Sequence, residues 1–285
     1  MKNPYQRSIA LRAIRWVYRS LFPAARNSLN LALLITVDDL AIRRLEVNGI
    51  NRVLVLSPHP DDEAIGCGGT ILLHKQAGAN ITVVYMTDGR WGGENWHAEL
   101  LPEDEQVRRQ LQFTDIRKAE ASECAKVLNL DRQVFLDIED GRVTPTKSIV
   151  SALCEVIEEE KPEVIYVPFL MESHPDHWQT ARILEHCLAR QHAPQTIIRS
   201  YEVWRPLVAN RLADISSVED IKRKAIAAYR SQIEERDYIS YIMGLNRYRA
   251  MQIRGGFAEA FFDATPEEFC SLVRSASRSR VAEPL

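Results

Sequence analysis

Between Asn51 and Trp204, short apolar runs alternate with longer stretches of helical character, and no other feature narrows the possible folds as far. Val53–Ser57, Ile81–Thr87, Gln133–Ile138, Val164–Pro168 and Ile197–Trp204 read as strands. Ala64–Gln76, Glu105–Leu128, Lys147–Glu160 and Trp178–Arg190 read as the helices between them. The first run is apolar without a break, which suits a parallel strand covered on both faces. Strands that alternate with helices predict an α/β fold, an open and mostly parallel sheet with helices on both faces.

Ionisable residues gather where the predicted strands end. The first strand leads into Pro58, His59, Pro60, Asp61, Asp62 and Glu63, and the second into Asp88 and Gly89. The third leads to Asp137–Gly141 and the fourth to Glu172–His177. Open α/β sheets place their ligands at that edge. The two prolines keep the first segment out of regular structure. His59 and Asp62 lie three apart across a turn and can aim at one point; His174 and His177 repeat the spacing. Asp61 and Asp62 are adjacent and diverge, so one can bind a metal while the other stays free. His59, Asp62 and His177 make a two-histidine, one-carboxylate set, which suits zinc with an open position for water.

A net charge of −3 gives no basic footprint for nucleic acid. The five cysteines are odd in number and contain no C-x-x-C pair, so reduced, buried thiols in a cytoplasmic protein are expected. No apolar run is long enough to span a bilayer, and the N-terminus does not read as a secretory signal. Three regions follow: a basic extension over 1–50, a catalytic domain over 51–275 and a loose polar tail over 276–285. Met1–Val37 contains no acidic residue. On a helical wheel Arg12, Arg15 and Arg19 cluster on one side, and Leu11, Ile14, Val17, Tyr18 and Leu21 cover another. A helix of this kind, formed by residues 1–26, can lie on the inner face of a membrane or pack on the protein's own core.

Val53–Thr70 resembles the first motif of the PIG-L/LmbE deacetylases, and His174–His177 resembles the second. Thr87–Gly89, Arg117–Glu120, Asp140–Gly141, Ser231–Gln232 and Ala258–Phe261 are similar to shorter blocks of that family, in the same order. The resemblance runs from Asn51 to Phe262 and leaves out the first fifty residues. It implies a Rossmann-like fold, one zinc per chain with Fe2+ able to substitute, and removal of an N-acetyl group from an N-acetylglucosamine-type amino sugar. It puts the metal on His59, Asp62 and His177, the general base on Asp61, and an electrophile-stabilising histidine on His174 with Asp176 beside it. Sugar contacts fall on Arg117 and Asp140. Glu172 stands where some thiol-pathway members carry tyrosine, which argues against a thiol-biosynthesis role.

With such a metal, Asp61 can take a proton from water, and a protonated His174 can donate to the oxyanion, oriented and kept charged by Asp176. Either Asp61 or His174 then protonates the leaving amine. Asp88 is a further candidate substrate contact, or a cap for the turn after Thr87. Glu63 reads as the start of the following helix. Trp91, Trp96 and His97 lie in a loop that can cover a sugar ring or pack locally. Tyr229 and Gln232 read as braces. Two readings compete with the deacetylase: a zinc-holding glycan-binding protein without turnover, and a deacylase of a non-sugar amide. An iron oxygenase shares the ligand types, but the parallel pattern disfavours its β fold. A metallophosphatase needs more ligands than this edge offers.

Overall fold

The computed structural model describes residues 42–92, 102–190, 196–234 and 236–280. The basic stretch 1–26, Trp96 and His97 lie outside the described residues. The elements run β1 (Arg43–Arg44), β2 (Arg52–Ser57), α1 (Asp62–Gln76), β3 (Asn80–Thr87), α2 (Glu103–Leu128), β4 (Arg132–Ile138), α3 (Lys147–Glu160), β5 (Val164–Pro168) and α4 (Pro175–Arg190). There follow β6 (Ile197–Tyr201), β7 (Arg211–Asp214), α5 (Glu219–Ala227), α6 (Arg230–Ile233), α7 (Tyr238–Ala250), β8 (Ala258–Ala264) and α8 (Pro266–Arg280).

The described strands form one sheet in the order β1-β7-β8-β6-β5-β2-β3-β4. It is parallel except at β8, which runs antiparallel to both β6 and β7. From β2 the chain steps outward through β3 to β4, then returns to the other side of β2 and continues through β5 to β6. Right-handed crossovers therefore put α1 and α2 on one face and α3 and α4 on the other. The direction reverses between β2 and β5, and the ends of these two strands frame a crevice. Leu54–Leu56 on β2 and Val164–Val167 on β5 are wholly buried, as strands covered on both faces must be.

Helix α1 is broken. Cys67 sits at φ −143°, so the helical ladder is interrupted there. In an unbroken helix the Gly69 amide would donate to the Ile65 carbonyl. Here Ile65 O accepts from Lys222 Nζ at 2.9 Å. The Gly69 and Thr70 amides instead donate to the Glu259 carboxylate, both at 2.8 Å. Lys222 and Glu259 are themselves paired at 2.7 Å with no exposure, and Asn246 Oδ1 takes another ammonium proton at 2.9 Å. One ion pair thus supplies an end cap to each half of the helix. Gly66, just before the bend, packs against Tyr201, whose ring a Cβ would run into.

The chain divides into two compact units, Ile42–Cys270 and Met1–Ala41 with Ser271–Leu285. The first takes in β1, upstream of the expected boundary at residue 51, because Arg43–Arg44 pairs with Arg211–Leu212. In the second, residues 271–280 are described and belong to α8, so the stretch expected to be a loose tail from 276 is helical as far as Arg280. All five cysteines are buried and none is in a disulfide. Among the described residues no helix is long and apolar enough to cross a membrane.

Two predictions arise from these buried groups. Lys222→Met leaves the Glu259 carboxylate uncompensated, and the loss expected in chemical denaturation is about 3–5 kcal/mol. The second concerns His74, whose Nε2 lies 2.9 Å from the Tyr166 hydroxyl while Nδ1 has no partner. Arg199 Nη1 donates to the same hydroxyl at 2.9 Å, and Asp263 holds Arg199 at 2.7 Å. Burial, helped by the Arg199 charge, holds the imidazole down at about 3. The unfolded chain therefore takes up this proton first. Stability is expected to fall by up to about 1.4 kcal/mol per pH unit from pH ~6.5 down to ~3. In denaturation curves across that range, His74→Phe should have a shallower slope than the parent.

Candidate functional site

The turn between β2 and α1 carries the densest chemistry. Asp61 adopts φ 142°, a strained conformation for a residue with a Cβ. Neighbours hold it there. Its amide donates to Glu63 Oε2 at 3.2 Å. Arg117, from α2, reaches Asp61 Oδ2 at 3.0 Å with Nη2 and donates from the same nitrogen to Pro60 O. Arg117 is buried rather than solvated, and its Nη1 is shared between Glu120 Oε2 and Ser231 Oγ, each at 3.5 Å. Glu120 also accepts from the Ser231 amide and hydroxyl, both at 2.7 Å.

Glu63 does more than start a helix. Its buried carboxylate accepts from Ser57 Oγ at 3.0 Å, Tyr85 at 3.3 Å, Cys124 at 3.4 Å and the Tyr229 hydroxyl. Burial pushes its pKa up, against the donors that favour the carboxylate. β2, β3, α2 and Tyr229, which precedes α6, are thereby tied to one side chain beneath the turn. Tyr229 is the brace its sequence context suggested, and Gln232 is another, donating from Nε2 to Gly92 O in the turn after β3.

His59 Nδ1, Asp62 Oδ2 and His177 Nε2 form a triangle. The histidine atoms lie 3.2 and 3.1 Å from the carboxylate oxygen and 3.3 Å from each other. The other nitrogen of His59 faces Asp140 Oδ1 at 3.1 Å and Asp176 Oδ2 at 3.3 Å. Two acceptors at Nε2 fix the proton there and leave the Nδ1 lone pair directed at the triangle. His177 Nδ1 lies 3.8 Å from Glu172 Oε2. Among the described residues, the sets His59, His174, His177 and His59, Asp140, His174, Asp176 also bring ligand atoms within 4.8 Å of one another. A His/Asp cluster able to hold a metal is therefore present.

The two neighbouring aspartates are driven apart. Burial pushes the Asp61 carboxyl up to about 7, against the pull of Arg117. Asp62 is held well below the carboxylate range, because His177 and His59 outweigh its burial. His59 is raised: burial opposes its charge, but Asp140, Asp176 and Asp62 outweigh burial. His174 is lowered, first by burial and then by the neighbouring His59 and His177. Its Nδ1 accepts the Asp176 amide at 3.3 Å, which leaves a proton on Nε2 of the neutral ring.

The Asp176 carboxylate favours the charged form of His174 through space, as expected, but the hydrogen bonds it makes are to other groups. Its carboxylate reaches past that ring to His59, to the Gly141 amide at 2.7 Å and to the Val143 amide at 3.3 Å. Asp88, read as a possible substrate contact, is engaged elsewhere: Arg90 Nε donates to it at 2.8 Å and the Asp140 amide at 3.3 Å, and it does not line the cavity. The cavity itself, about 390 Å³, is lined by His59, Asp61, Asp62, Arg117, Asp140 and His174 from the expected set. Trp91 joins them, and so do Trp204, Arg236 and Tyr238, which the sequence reading passed over. Glu172 was noted only as a departure from a family pattern. It accepts from the Val203, Trp204 and Arg205 amides at 2.7, 3.1 and 3.3 Å, so it fixes one wall of the cavity while backing His177.

Known proteins resemble this chain in sequence and in fold. The PIG-L family, described as GlcNAc-PI de-N-acetylase, matches residues 54–188. A diacetylchitobiose deacetylase of Thermococcus kodakarensis is 26% identical over 210 residues, 66% of this chain and 72% of that protein. A Bacillus subtilis protein named "Probable N-acetyl-alpha-D-glucosaminyl L-malate deacetylase 2" is 30% identical over 194 residues, 64% of this chain and 83% of that one. Among solved structures, the N,N'-diacetylchitobiose deacetylase of Pyrococcus horikoshii superposes with a TM-score of 0.66 at 25% identity, covering 77% of this chain and 85% of that one.

Replacing Glu63 by glutamine keeps its shape but turns an acceptor into an NH2 group facing donors. Glu63→Gln is expected to cost about 1–3 kcal/mol in equilibrium unfolding.

Proposed function

The chain belongs to the PIG-L family, and from that premise we propose that it is a zinc-dependent hydrolase that removes the acetyl group from an N-acetylglucosamine-type amino sugar. One observation carries the reading: the triangle of His59 Nδ1, Asp62 Oδ2 and His177 Nε2, with sides of 3.1–3.3 Å, stands beside the Asp61 carboxylate, which Arg117 holds on the cavity wall. Three ligands of a tetrahedral zinc, with bonds of 2.0–2.1 Å, are separated by about 3.3 Å. The donor set and its spacing therefore fit that ion, and Fe2+ can take the same ligands.

His59, Asp62 and His177 would hold the metal, with Asp140 and Asp176 orienting His59 from behind. Bound there, zinc supplies a Lewis acid for the amide carbonyl and lowers the pKa of water. The remaining steps fall to the chain's own groups. Asp61 lines the cavity, and burial raises its affinity for a proton, so it accepts one from the attacking water. His174 donates from Nε2 to the oxygen that becomes negative, and it can do so as a neutral ring. Arg117 positions Asp61. Asp140, engaged by His59 and by the Trp91 amide, shapes the cavity floor. Trp91 and Trp204, each 43% exposed, offer flat apolar walls to a sugar ring. The substrate class includes a free conjugate, a glycolipid or a polysaccharide precursor. The basic pattern of residues 1–26 supports contact with an anionic membrane surface for the lipid-linked case.

Removing metal with a chelator is expected to abolish primary-amine release from N-acetylglucosamine conjugates, and added zinc to restore it. Asp61→Asn is expected to keep its metal content, measured by elemental analysis, and to lose about 10²–10⁴-fold in kcat. An Asp61→Asn protein as active as its parent would remove Asp61 as the base.

A further inference from the structure

Two guanidinium groups line the cavity, and they differ in what they meet. Arg117 is enclosed by Asp61, Glu120, Ser231 and Pro60 O. Arg236 has no carboxylate within ion-pair distance among the described residues. It is exposed and lies beside two aromatic rings, 5.6 Å from the Trp204 centroid and 5.8 Å from that of Tyr238. These rings meet edge to face at 6.0 Å, so the guanidinium sits at the third corner of a triangle. The rings are carried on fixed parts. Glu172 fixes the backbone of Val203–Arg205 that carries Trp204. Arg249 grips Glu202 beside it, with Nε at 3.0 Å. Tyr238 begins α7, whose first turn is capped by Asp237 accepting from Ser240 N at 3.0 Å. Cation–π contact with the two rings favours this position of the guanidinium but uses none of its five N–H donors. The other ionisable groups on the cavity wall, His59, Asp61, Asp62, Asp140, His174 and Arg117, already contact one another or their supports. Arg236 is thus a held cation with its hydrogen-bonding capacity open to the cavity.

We propose that Arg236 is a specificity-determining residue that binds an anionic group, a carboxylate or a phosphate, on the aglycone of the amino sugar. A planar guanidinium matches either anion with two parallel hydrogen bonds. The inference rests on the deacetylase reading and adds the charge of the group attached to the sugar.

Three N-acetylglucosamine probes test it, carrying at the anomeric carbon a methyl group, a hydroxy acid or a phosphate ester. The zinc-loaded protein is expected to prefer at least one anionic probe over the methyl glycoside by about tenfold or more in kcat/KM, through KM. Whichever anion is favoured identifies the source of the charge. Arg236→Gln is expected to remove the preference, and Arg236→Lys to restore part of it. Calorimetric binding to the turnover-deficient Asp61→Asn protein should show the same order. Turnover of all three probes with equal kcat/KM, or a preference unchanged in Arg236→Gln, overturns the inference and leaves the deacetylase reading standing. Absence of turnover on every probe, with zinc bound, overturns both.

Discussion

Helix α1 changes direction at Cys67, and the Lys222–Glu259 pair makes that bend possible. A break in a buried helix strands amides on one side and carbonyls on the other. Water cannot reach them here. A buried ammonium takes the Ile65 carbonyl, and a buried carboxylate takes the Gly69 and Thr70 amides. Each charge also neutralises the other. Ordinary capping groups would satisfy the hydrogen bonds, but the pair does so while tying α5 and β8 to the bend. The first half of α1 is thereby free to start at Asp62 and to present it toward His177.

On that scaffold, opposite environments act on adjacent residues. Asp62 turns toward two imidazoles and is held as a carboxylate; Asp61 turns toward the cavity, where burial favours the proton. A pair of carboxyls with diverging affinities for a proton is the arrangement that separates a ligand from a base. The histidines are sorted in a similar way. Two carboxylates fix the proton of His59 on Nε2, whereas a backbone amide fixes that of His174. Spacing in the sequence could pair His174 with Asp176. It could not show that the Asp176 carboxylate reaches past its own loop to His59.

Much of this arrangement was legible because it is local or periodic. The strands from β2 to β5 announce themselves as apolar runs, and every segment that supplies a residue to the triangle follows such a run directly. The rest depends on long-range pairs with no signature in spacing. Lys222 and Glu259 stand far from the helix they repair, and each alone resembles an ordinary surface charge. Glu63 looked like a helix start because its donors come from β2, β3, α2 and Tyr229. Arg117 stands on a long helix, where an arginine ordinarily faces solvent, and only a short motif singles it out. Short strands such as β1, which is two residues long, carry no pattern at all. Trp204, Arg236 and Tyr238 meet only because the segment after β6 and the turn before α7 converge at one end of the sheet.

The bend in α1 also bears on the order in which the protein can be made. His59, Asp61, Asp62 and His177 leave the ribosome well before Lys222, and Glu259 comes later still. Domains are completed as synthesis proceeds from the N-terminus. A nascent chain that ends after α4 already holds every residue of the triangle but neither charge that stabilises the break. Its first helix has no means of satisfying a bend and is free to propagate straight through Cys67. The contacts that cap the bend are complete only once the last strand of the sheet has been made, because their acceptor stands 190 residues after Gly69.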